Sequence, residues 1–219
     1  MIIKVNTKSV ICFDLDDTLY NELDYLISAY TEIAKKLEKS EWLVLLARML
    51  SMYRDNENVF DVINIEYKVS HKKLLEWYRN HIPSIQLFNG ALELINEIKS
   101  KNGKLCVITD GRSLTQRNKL NSLKIDNLFD KIIISEEIGS TKPSIKNFTV
   151  IEQSFPNCSY LYIADNLKKD FIAPNQLGWS SIGLLDKGKN IHNTAGAYIL
   201  NKNNRPKKLI RELTDIIVK

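Results

Sequence analysis

The 219-residue sequence lacks the patterns that mark several large classes of protein. No apolar run approaches the ~20 residues of a membrane-spanning helix, and the first residues do not show the charged segment and long apolar stretch of a signal peptide. The three cysteines lie far apart without a CxxC spacing, so we expect reduced thiols and no disulfide framework. These absences predict a cytoplasmic protein that has no membrane partner.

Signatures of several enzyme classes are missing as well. There is no GxSxG motif for a serine hydrolase and no GxxxxGK(S/T) loop for an ATP-driven enzyme. The three histidines, His71, His81 and His192, are far apart and cluster with no cysteine, which disfavours a zinc site.

The composition is that of a folded globular chain, with 44% hydrophobic and 26% charged residues. The apolar content is too high, and the net charge of +5 too small, for a disordered chain. We interpret the basic residues of the tail segment 205–211 as the exposed start of a terminal helix, and we expect no nucleic-acid polymer as a partner.

Short, nearly continuous apolar runs predict strands that are buried on both faces. These runs are 10–13, 105–109, 131–134, 160–164, 181–184 and 197–200. Helical patterns separate most of them, at 91–98, 113–123, 145–154 and 167–177, and a last one at 209–218 closes the chain. Because strands and helices alternate, we expect an α/β fold with a doubly wound, Rossmann-like parallel sheet.

The segment 19–87 is different, because it is helical almost throughout. Apolar residues at helical spacing predict four helices, within 23–37, 42–53, 59–63 and 74–78, and the second is apolar on most faces, as in a helix packed among others. We therefore expect two domains: a sheet domain formed by 1–18 and 88–219, and a helical domain of 19–87 inserted after the first strand.

Polar residues follow four of the predicted strands, at the edge where parallel sheets bind ligands. They are Asp14, Asp16, Asp17 and Thr18; Thr109, Asp110, Gly111 and Arg112; Lys142; and Asp165 and Asp170. Asp14 and Asp16 are two residues apart, and two carboxylates held this close repel unless one is protonated or bound to a metal. An oxygen-rich site with Asp165 as third donor suits Mg²⁺, and Lys142 adds a fixed positive charge.

Together these residues resemble the four motifs of the haloacid dehalogenase-like (HAD) hydrolases, in the same order and spacing. They are Asp14-Leu-Asp-Asp-Thr18, Thr109, Lys142 and Asp165-Asn-Leu-Lys-Lys-Asp170. The insert 19–87 is similar to the C1-type cap domain of that superfamily. The fourth motif differs in one position, because Ala164 stands where the family usually has glycine.

The resemblance implies Mg²⁺-dependent phosphoryl transfer through an aspartyl-phosphate. Asp14 would be the nucleophile, Asp16 the general acid and then the general base, and Lys142 the neutralising charge. Thr18 would orient Asp16, and Thr109 with nearby backbone N–H groups would hold phosphate oxygens, with Asp110 and Gly111 within reach. Asp14, the carbonyl group of Asp16 and Asp165 would bind the metal, with Asp170 supporting them from outside.

We therefore expect a phosphatase that acts on a small phosphorylated metabolite. Asp16 favours phosphate esters over carbon–halogen or phosphonate bonds, because relatives with those activities lack this proton donor. A phosphosugar mutase and a catalytically silent binding module on the same fold stay open as alternatives. The insert would contact the leaving group, with Arg48, Arg54 and the turn 55–58 as candidates, and the oligomeric state cannot be read from the sequence.

Overall fold

A six-stranded, fully parallel sheet forms the centre of the molecule in our computed structural model, which describes residues 1–191 and 195–219. Its strands, in chain order, are β2 Ser9–Phe13, β3 Lys104–Thr109, β4 Lys131–Ile134, β5 Ser159–Ala164, β6 Ser180–Leu184 and β7 Lys208–Ile210. Two short strands, β1 Ile2–Ile3 and β8 Ile217–Val218, pair with each other separately. The predicted doubly wound α/β fold is confirmed.

The strand order β4-β3-β2-β5-β6-β7 places the switch point of the sheet beside β2. The chain leaves β2 for β3 on one side and later returns to β5 on the other, so a crevice opens beyond the carboxyl ends of these strands. Phe13 is in register with Val107 on one side and Ile163 on the other. Asp14 therefore emerges between two neighbouring strands, and its N–H donates to the carbonyl of Ile163 at 2.9 Å.

Both faces of the sheet are covered, which explains why its strands are continuous apolar runs. Ile11 and Phe13 belong to the core on one face, whereas Val10 and Cys12 belong to the core on the other. The covering helices are α5 Ala91–Ser100, α6 Ser113–Ser122, α7 Ser135–Ile138, α8 Lys146–Ser154, α9 Ile172–Gln176 and α10 Ala195–Tyr198. Short 3-10 turns occur at Asp126–Leu128 and Leu213–Asp215.

Between β2 and β3 lie four helices, α1 Glu22–Leu37, α2 Trp42–Arg54, α3 Val59–Tyr67 and α4 His71–Asn80. They share a hydrophobic core of their own, with Ile33, Met49, Ile63 and Leu74 fully buried. The helix α2 is less enclosed than its sequence predicts, because Leu43 and Val44 are 62% and 65% exposed. The division of the chain into a sheet domain and an inserted domain at 18/19 and 87/88 stays a prediction.

The C-terminal segment differs from its prediction. Instead of a helix over 209–218, the chain forms β7, the 3-10 turn and β8. Only one residue of β7, Ile210, is buried, so this edge strand has no apolar run that would reveal it. The exposed basic residues of 205–211 surround this edge rather than start a helix, and lysines on an edge strand discourage pairing with another chain.

Two other predicted elements have a different form. The segment 197–200, predicted as a strand, contains the end of α10 and a turn. The predicted helix 167–177 is shortened to α9, because the side chain of Asn204 donates to the carbonyls of Leu167 and Lys168 and so replaces their helical partners. His192 lies outside the described residues, and no helix within the described ranges is long and apolar enough to cross a membrane.

Candidate active site

A pocket of about 260 Å³ opens at the carboxyl ends of β2, β3 and β5. Most of the residues that line it carry a charge: five are aspartates, one is a glutamate and two are lysines. The lining residues are Asp14, Asp16, Asp17, Glu22, Asp110, Gly111, Lys142, Asp165, Asn166 and Lys169. The pocket thus collects residues from each of the four strand ends that the sequence analysis selected.

Asp14 forms a buried ion pair with Lys142 at the base of this pocket. Nζ of Lys142 is 2.8 Å from Oδ1 of Asp14 and 2.8 Å from Oδ1 of Asp170. The second approach is not aligned as a hydrogen bond, so it is an electrostatic contact. Because the Lys142 side chain is fully buried and Asp14 is 7% exposed, water screens these charges poorly.

Burial and the charge of the ion-pair partner shift the pKa of each of these groups, Asp14 and Lys142, in opposite directions. Burial raises the pKa of Asp14 to about 7, although the charge of Lys142 opposes this rise. Burial would lower the pKa of Lys142, but the charges of Asp14 and Asp170 hold it well above its usual value. Lys142 is therefore protonated at neutral pH and supplies a fixed positive charge beside Asp14.

Three carboxylates meet at the crevice between β2 and β5. One oxygen each from Asp14, Asp165 and Asp170 lies within 4.8 Å of the others. Burial, followed by the charges of Asp170 and Asp14, raises the pKa of Asp165 well above its usual value. A divalent cation would compensate this crowding, and three hard oxygen donors suit Mg²⁺.

The carboxylate of Asp16 lines the same pocket but lies outside this cluster, against α6. Its Oδ1 accepts from Nζ of Lys119 at 2.6 Å and from the hydroxyl of Tyr20, and its Oδ2 accepts from Nε2 of Gln116 at 2.8 Å. Burial would raise the pKa of Asp16, but the charge of Lys119 and the hydrogen bonds from Lys119, Tyr20 and Gln116 hold this pKa below its usual value. Two of the three predicted metal ligands, Asp14 and Asp165, lie together in the structure. The third carboxylate of the cluster is that of Asp170, not that of Asp16.

The two threonines of the predicted site are buried and engaged elsewhere. Thr18 was expected to orient Asp16 or to reach phosphate, but its Oγ1 lies 3.3 Å from Oδ1 of Asp165 and it does not line the pocket. The turn after β2 thus directs the hydroxyl of Thr18 to β5, and the role of Thr18 toward Asp16 or phosphate stays a prediction. Oγ1 of Thr109 accepts from Gln116 at 2.6 Å, so its own proton is left for another acceptor.

Asp110 and Gly111 line the pocket, and the carboxylate of Asp110 and the N–H of Gly111 have partners within the protein. Asp110 accepts the N–H of Lys142 at 3.0 Å through Oδ1 and contacts Nζ of Lys169 at 2.8 Å through Oδ2. The N–H of Gly111 donates to Oγ of Ser135 at 2.9 Å. Asp110 therefore orders two lysines of the pocket, and the phosphate-binding role of Asp110 and Gly111 stays a prediction.

A loop between β6 and α10 also contacts the carboxylate cluster. Nδ2 of Asn190 donates to Oδ2 of Asp165 at 2.9 Å, and the N–H of Ile191 donates to Oδ2 of Asp17 at 3.1 Å. Oδ1 of Asp186 holds the loop by accepting three backbone N–H groups, from Gly188, Lys189 and Asn190. Asn190 was not predictable as a site residue, because nothing in the local sequence marks a contact across 25 residues.

Four further residues were not predicted from the sequence: Gln116, Lys119, Lys169 and Glu22. A signal existed for the first two: α6 packs on the sheet although its sequence SLTQRNKLNS has few apolar residues, so a polar inner face is implied. Glu22 belongs to the first turn of α1 and is the residue of α1–α4 that lines the pocket. Arg48 instead pairs with Glu66, and neither it nor Arg54 lines this pocket.

Comparisons with known proteins point to one family. The family model of the haloacid dehalogenase-like hydrolases matches residues 11–184. The glyceraldehyde 3-phosphate phosphatase of Methanocaldococcus jannaschii is 27% identical over 195 residues, covering 82% of this chain and 85% of that protein. The pyrimidine 5'-nucleotidase YjjG of Escherichia coli is 28% identical over 191 residues, covering 80% and 84%. A solved HAD hydrolase, YfnB of Bacillus subtilis bound to magnesium, has a TM-score of 0.63 at 20% identity, covering 96% and 97%.

Proposed function

Because this chain belongs to the haloacid dehalogenase-like hydrolases and is a phosphatase of the HAD type, we propose that it hydrolyses a small phosphomonoester through Asp14, with Mg²⁺ as cofactor. The buried contact of 2.8 Å between Asp14 and Lys142 carries this proposal. A carboxylate nucleophile that attacks an anionic phosphoryl group needs an adjacent positive charge, and Lys142 provides one without screening by water.

The reaction has two displacements at phosphorus. An oxygen of Asp14 forms a bond to phosphorus while the bond to the ester oxygen breaks, and Asp16 donates a proton to that leaving oxygen. A water molecule then attacks the phosphorus of the aspartyl-phosphate, and Asp16 takes its proton. This second step releases inorganic phosphate and regenerates the carboxylate of Asp14.

Surrounding residues would support these steps. Lys142 stabilises the charge on the transferring group, and the hydroxyl of Thr109 is one donor for its oxygens. The carboxylates of Asp14 and Asp165 would hold Mg²⁺ together with the carbonyl group of Asp16, while Asp170 keeps Lys142 in place. The bound cation supplies charge neutralisation for the phosphate oxygens.

The names of related proteins support a small phosphorylated metabolite as the substrate. Relatives over most of the chain include phosphatases of a phosphorylated triose and of pyrimidine nucleotides. The small pocket fits a phosphate on a small metabolite better than a nucleic-acid polymer. We propose the helical segment 19–87 as the cap that covers the site, and Glu22 is its contact with the pocket.

The decisive experiment is a screen for phosphate release. The purified protein is incubated with Mg²⁺ and a panel of nucleotides, sugar phosphates, triose phosphates and phosphorylated acids, and inorganic phosphate is measured. We expect net release from at least one phosphomonoester. An isomerised phosphate ester without free phosphate would indicate a mutase, and Mg²⁺ binding without turnover of any ester would indicate a silent binding module.

A further inference from the structure

Two polar side chains of α6 are buried against the pocket although the sequence analysis gave them no role. Gln116 is 1% exposed and Lys119 is 3% exposed. Glutamine and lysine are rarely buried to this extent without a specific partner. The partner that both share is the carboxylate of Asp16.

The two residues contact different oxygens of that carboxylate. Lys119 holds Oδ1 at 2.6 Å, and Gln116 holds Oδ2 at 2.8 Å. Since the residues are three positions apart, they project from the same face of α6 and grip the carboxylate from one side. The orientation of Asp16 is therefore set largely by α6, a helix that follows β3, together with the hydroxyl of Tyr20 from its own loop after β2.

The position of Lys119 is fixed as well. Its ammonium group lies 4.4 Å from the ring centroid of Tyr25 and 5.8 Å from that of Tyr20. The hydroxyl of Tyr25 donates to the carbonyl of Tyr78 at 2.8 Å, which fixes the ring between α1 and α4. Among the residues that the structure describes, Asp16 is the carboxylate within ion-pair distance of Lys119.

We propose that Lys119, together with Gln116, is a positioning pair for Asp16 that keeps its carboxyl group aimed for proton transfer to the leaving oxygen. This inference rests on the proposed function. Lys119 does not line the pocket and keeps its own protons. Asp16, which is ionised in its contact with Lys119, takes up a proton from solvent before the reaction and passes it to the ester oxygen as the bond to phosphorus breaks. Misplacing such a group by about 1 Å can slow a reaction about 100-fold.

The proposal predicts a dependence on the leaving group. A poorly leaving alkoxide needs the proton from Asp16, whereas 4-nitrophenolate leaves readily without it. Because kcat/KM reports the steps up to release of the first product, a loss of positioning affects it more for alkyl esters than for activated aryl esters. A purely structural role of Lys119 would lower both to the same extent.

The variants separate charge, geometry and general damage. Lys119→Met keeps the length of the side chain and removes its charge, Lys119→Arg keeps the charge, and Gln116→Met removes the second donor. Arg117→Met is the matched control, because Arg117 lies on the same helix but pairs with Glu137 at 2.7 Å on the surface. Circular dichroism establishes which variants are folded.

The substrates are 4-nitrophenyl phosphate, phenyl phosphate and the alkyl phosphate that the wild type hydrolyses best. We expect Lys119→Met and Gln116→Met to lower kcat/KM for the alkyl ester by about 10- to 100-fold and for 4-nitrophenyl phosphate by less than about threefold. Lys119→Arg should recover most of the loss, and Arg117→Met should resemble the wild type. With Asp16 already replaced by asparagine, Lys119→Met should cause little further loss.

Equal losses for both esters, or an additive loss in the double variant, would overturn the proposal. If Lys119→Met does not fold, Lys119→Gln decides the question by the same criterion, because Gln116 also donates to Thr109 and so affects a proposed phosphate donor. A wild-type protein that releases no phosphate from any ester would instead overturn the proposed function, and this inference with it.

Discussion

Lys142 and Asp14 form an ion pair of 2.8 Å in which the lysine side chain is fully buried. A second carboxylate, that of Asp170, lies equally close to the same ammonium group. Removing the charge of Asp14 therefore leaves the lysine with a partner, whereas removing the lysine leaves two buried carboxylates without one. The two partners of this pair should thus have separable effects on activity and on folding.

The first prediction concerns Asp14 as nucleophile. Asp14→Asn should lower kcat by about a thousandfold or more, because an amide cannot form the phosphoenzyme. The fold should persist, since Lys142 keeps Asp170 as its counter-charge. Phosphate release and circular dichroism test both parts, with the exposed Asp24→Asn as control. Residual turnover within about tenfold of the wild type would exclude Asp14 from this role.

Substitution of Lys142, unlike that of Asp14, should destabilise the fold. Lys142→Met should lower the free energy of unfolding by about 3–5 kcal/mol, because Asp14 and Asp170 lose their shared positive charge in a buried place. Urea denaturation compares this variant with Asp14→Asn, which should be clearly less destabilised. Equal destabilisation of the two variants would mean that the lysine does not stabilise both carboxylates.

Metal dependence follows from the oxygen-only cluster of Asp14, Asp165 and Asp170. Treatment with EDTA should abolish phosphate release, and Mg²⁺ should restore it. Ca²⁺ should support little activity, because its larger and looser ligand shell would displace Asp14. Full activity after rigorous chelation would contradict a metal at this cluster.

The contact of 2.9 Å between Asn190 and Asp165 predicts an effect on metal affinity. Partners that orient a ligating carboxylate typically contribute 10- to 100-fold to metal binding, so Asn190→Ala should raise the Mg²⁺ concentration for half-maximal activity by about tenfold. Activity at saturating Mg²⁺ should change much less. Asn121→Ala, on the exposed surface of α6, is the control. An unchanged Mg²⁺ requirement would show that Asp165 needs no such partner.

The central strands were predictable from the sequence because burial on both faces leaves a continuous apolar run. All five residues of β2 are buried, and its predicted start differs from the observed one by a single residue. The edge strand β7 has only Ile210 buried, while Leu213 and Ile216 follow at helical spacing. The local spacing of apolar residues favoured a helix there, but the segment pairs with β6 and forms a strand.

The candidate site likewise has features that could be predicted from the sequence and features that could not. Topology alone brings Asp14 and Asp165 together, because both follow neighbouring parallel strands of one sheet. The direction of the Asp16 side chain could not be predicted in this way, because its partner Lys119 is 103 residues away in the sequence. Which carboxylate a lysine of α6 meets depends on how that helix packs, and no local pattern encodes it.

His81 gives the last prediction, which concerns the pH dependence of stability. Nδ1 of His81 lies 2.8 Å from the carbonyl of Tyr78, and a carbonyl only accepts, so Nδ1 carries the proton. Its Nε2 is buried without a hydrogen-bond partner among the described residues. Burial, opposed by the bond to Tyr78, lowers the pKa of His81 from its usual value of 6.5.

Because the pKa of His81 is lower in the folded protein, the unfolded chain binds more protons between the two pKa values. The stabilisation is therefore complete above the unfolded pKa of 6.5 and is lost as the pH falls through the folded pKa. Urea denaturation between about pH 5 and 8 should show a smaller pH dependence for His81→Gln than for the wild type. His71→Gln is the control, because His71 is exposed and pairs with Asp61 at 2.5 Å. A slope in His81→Gln equal to that of the wild type would mean that His81 is not held neutral by its buried position.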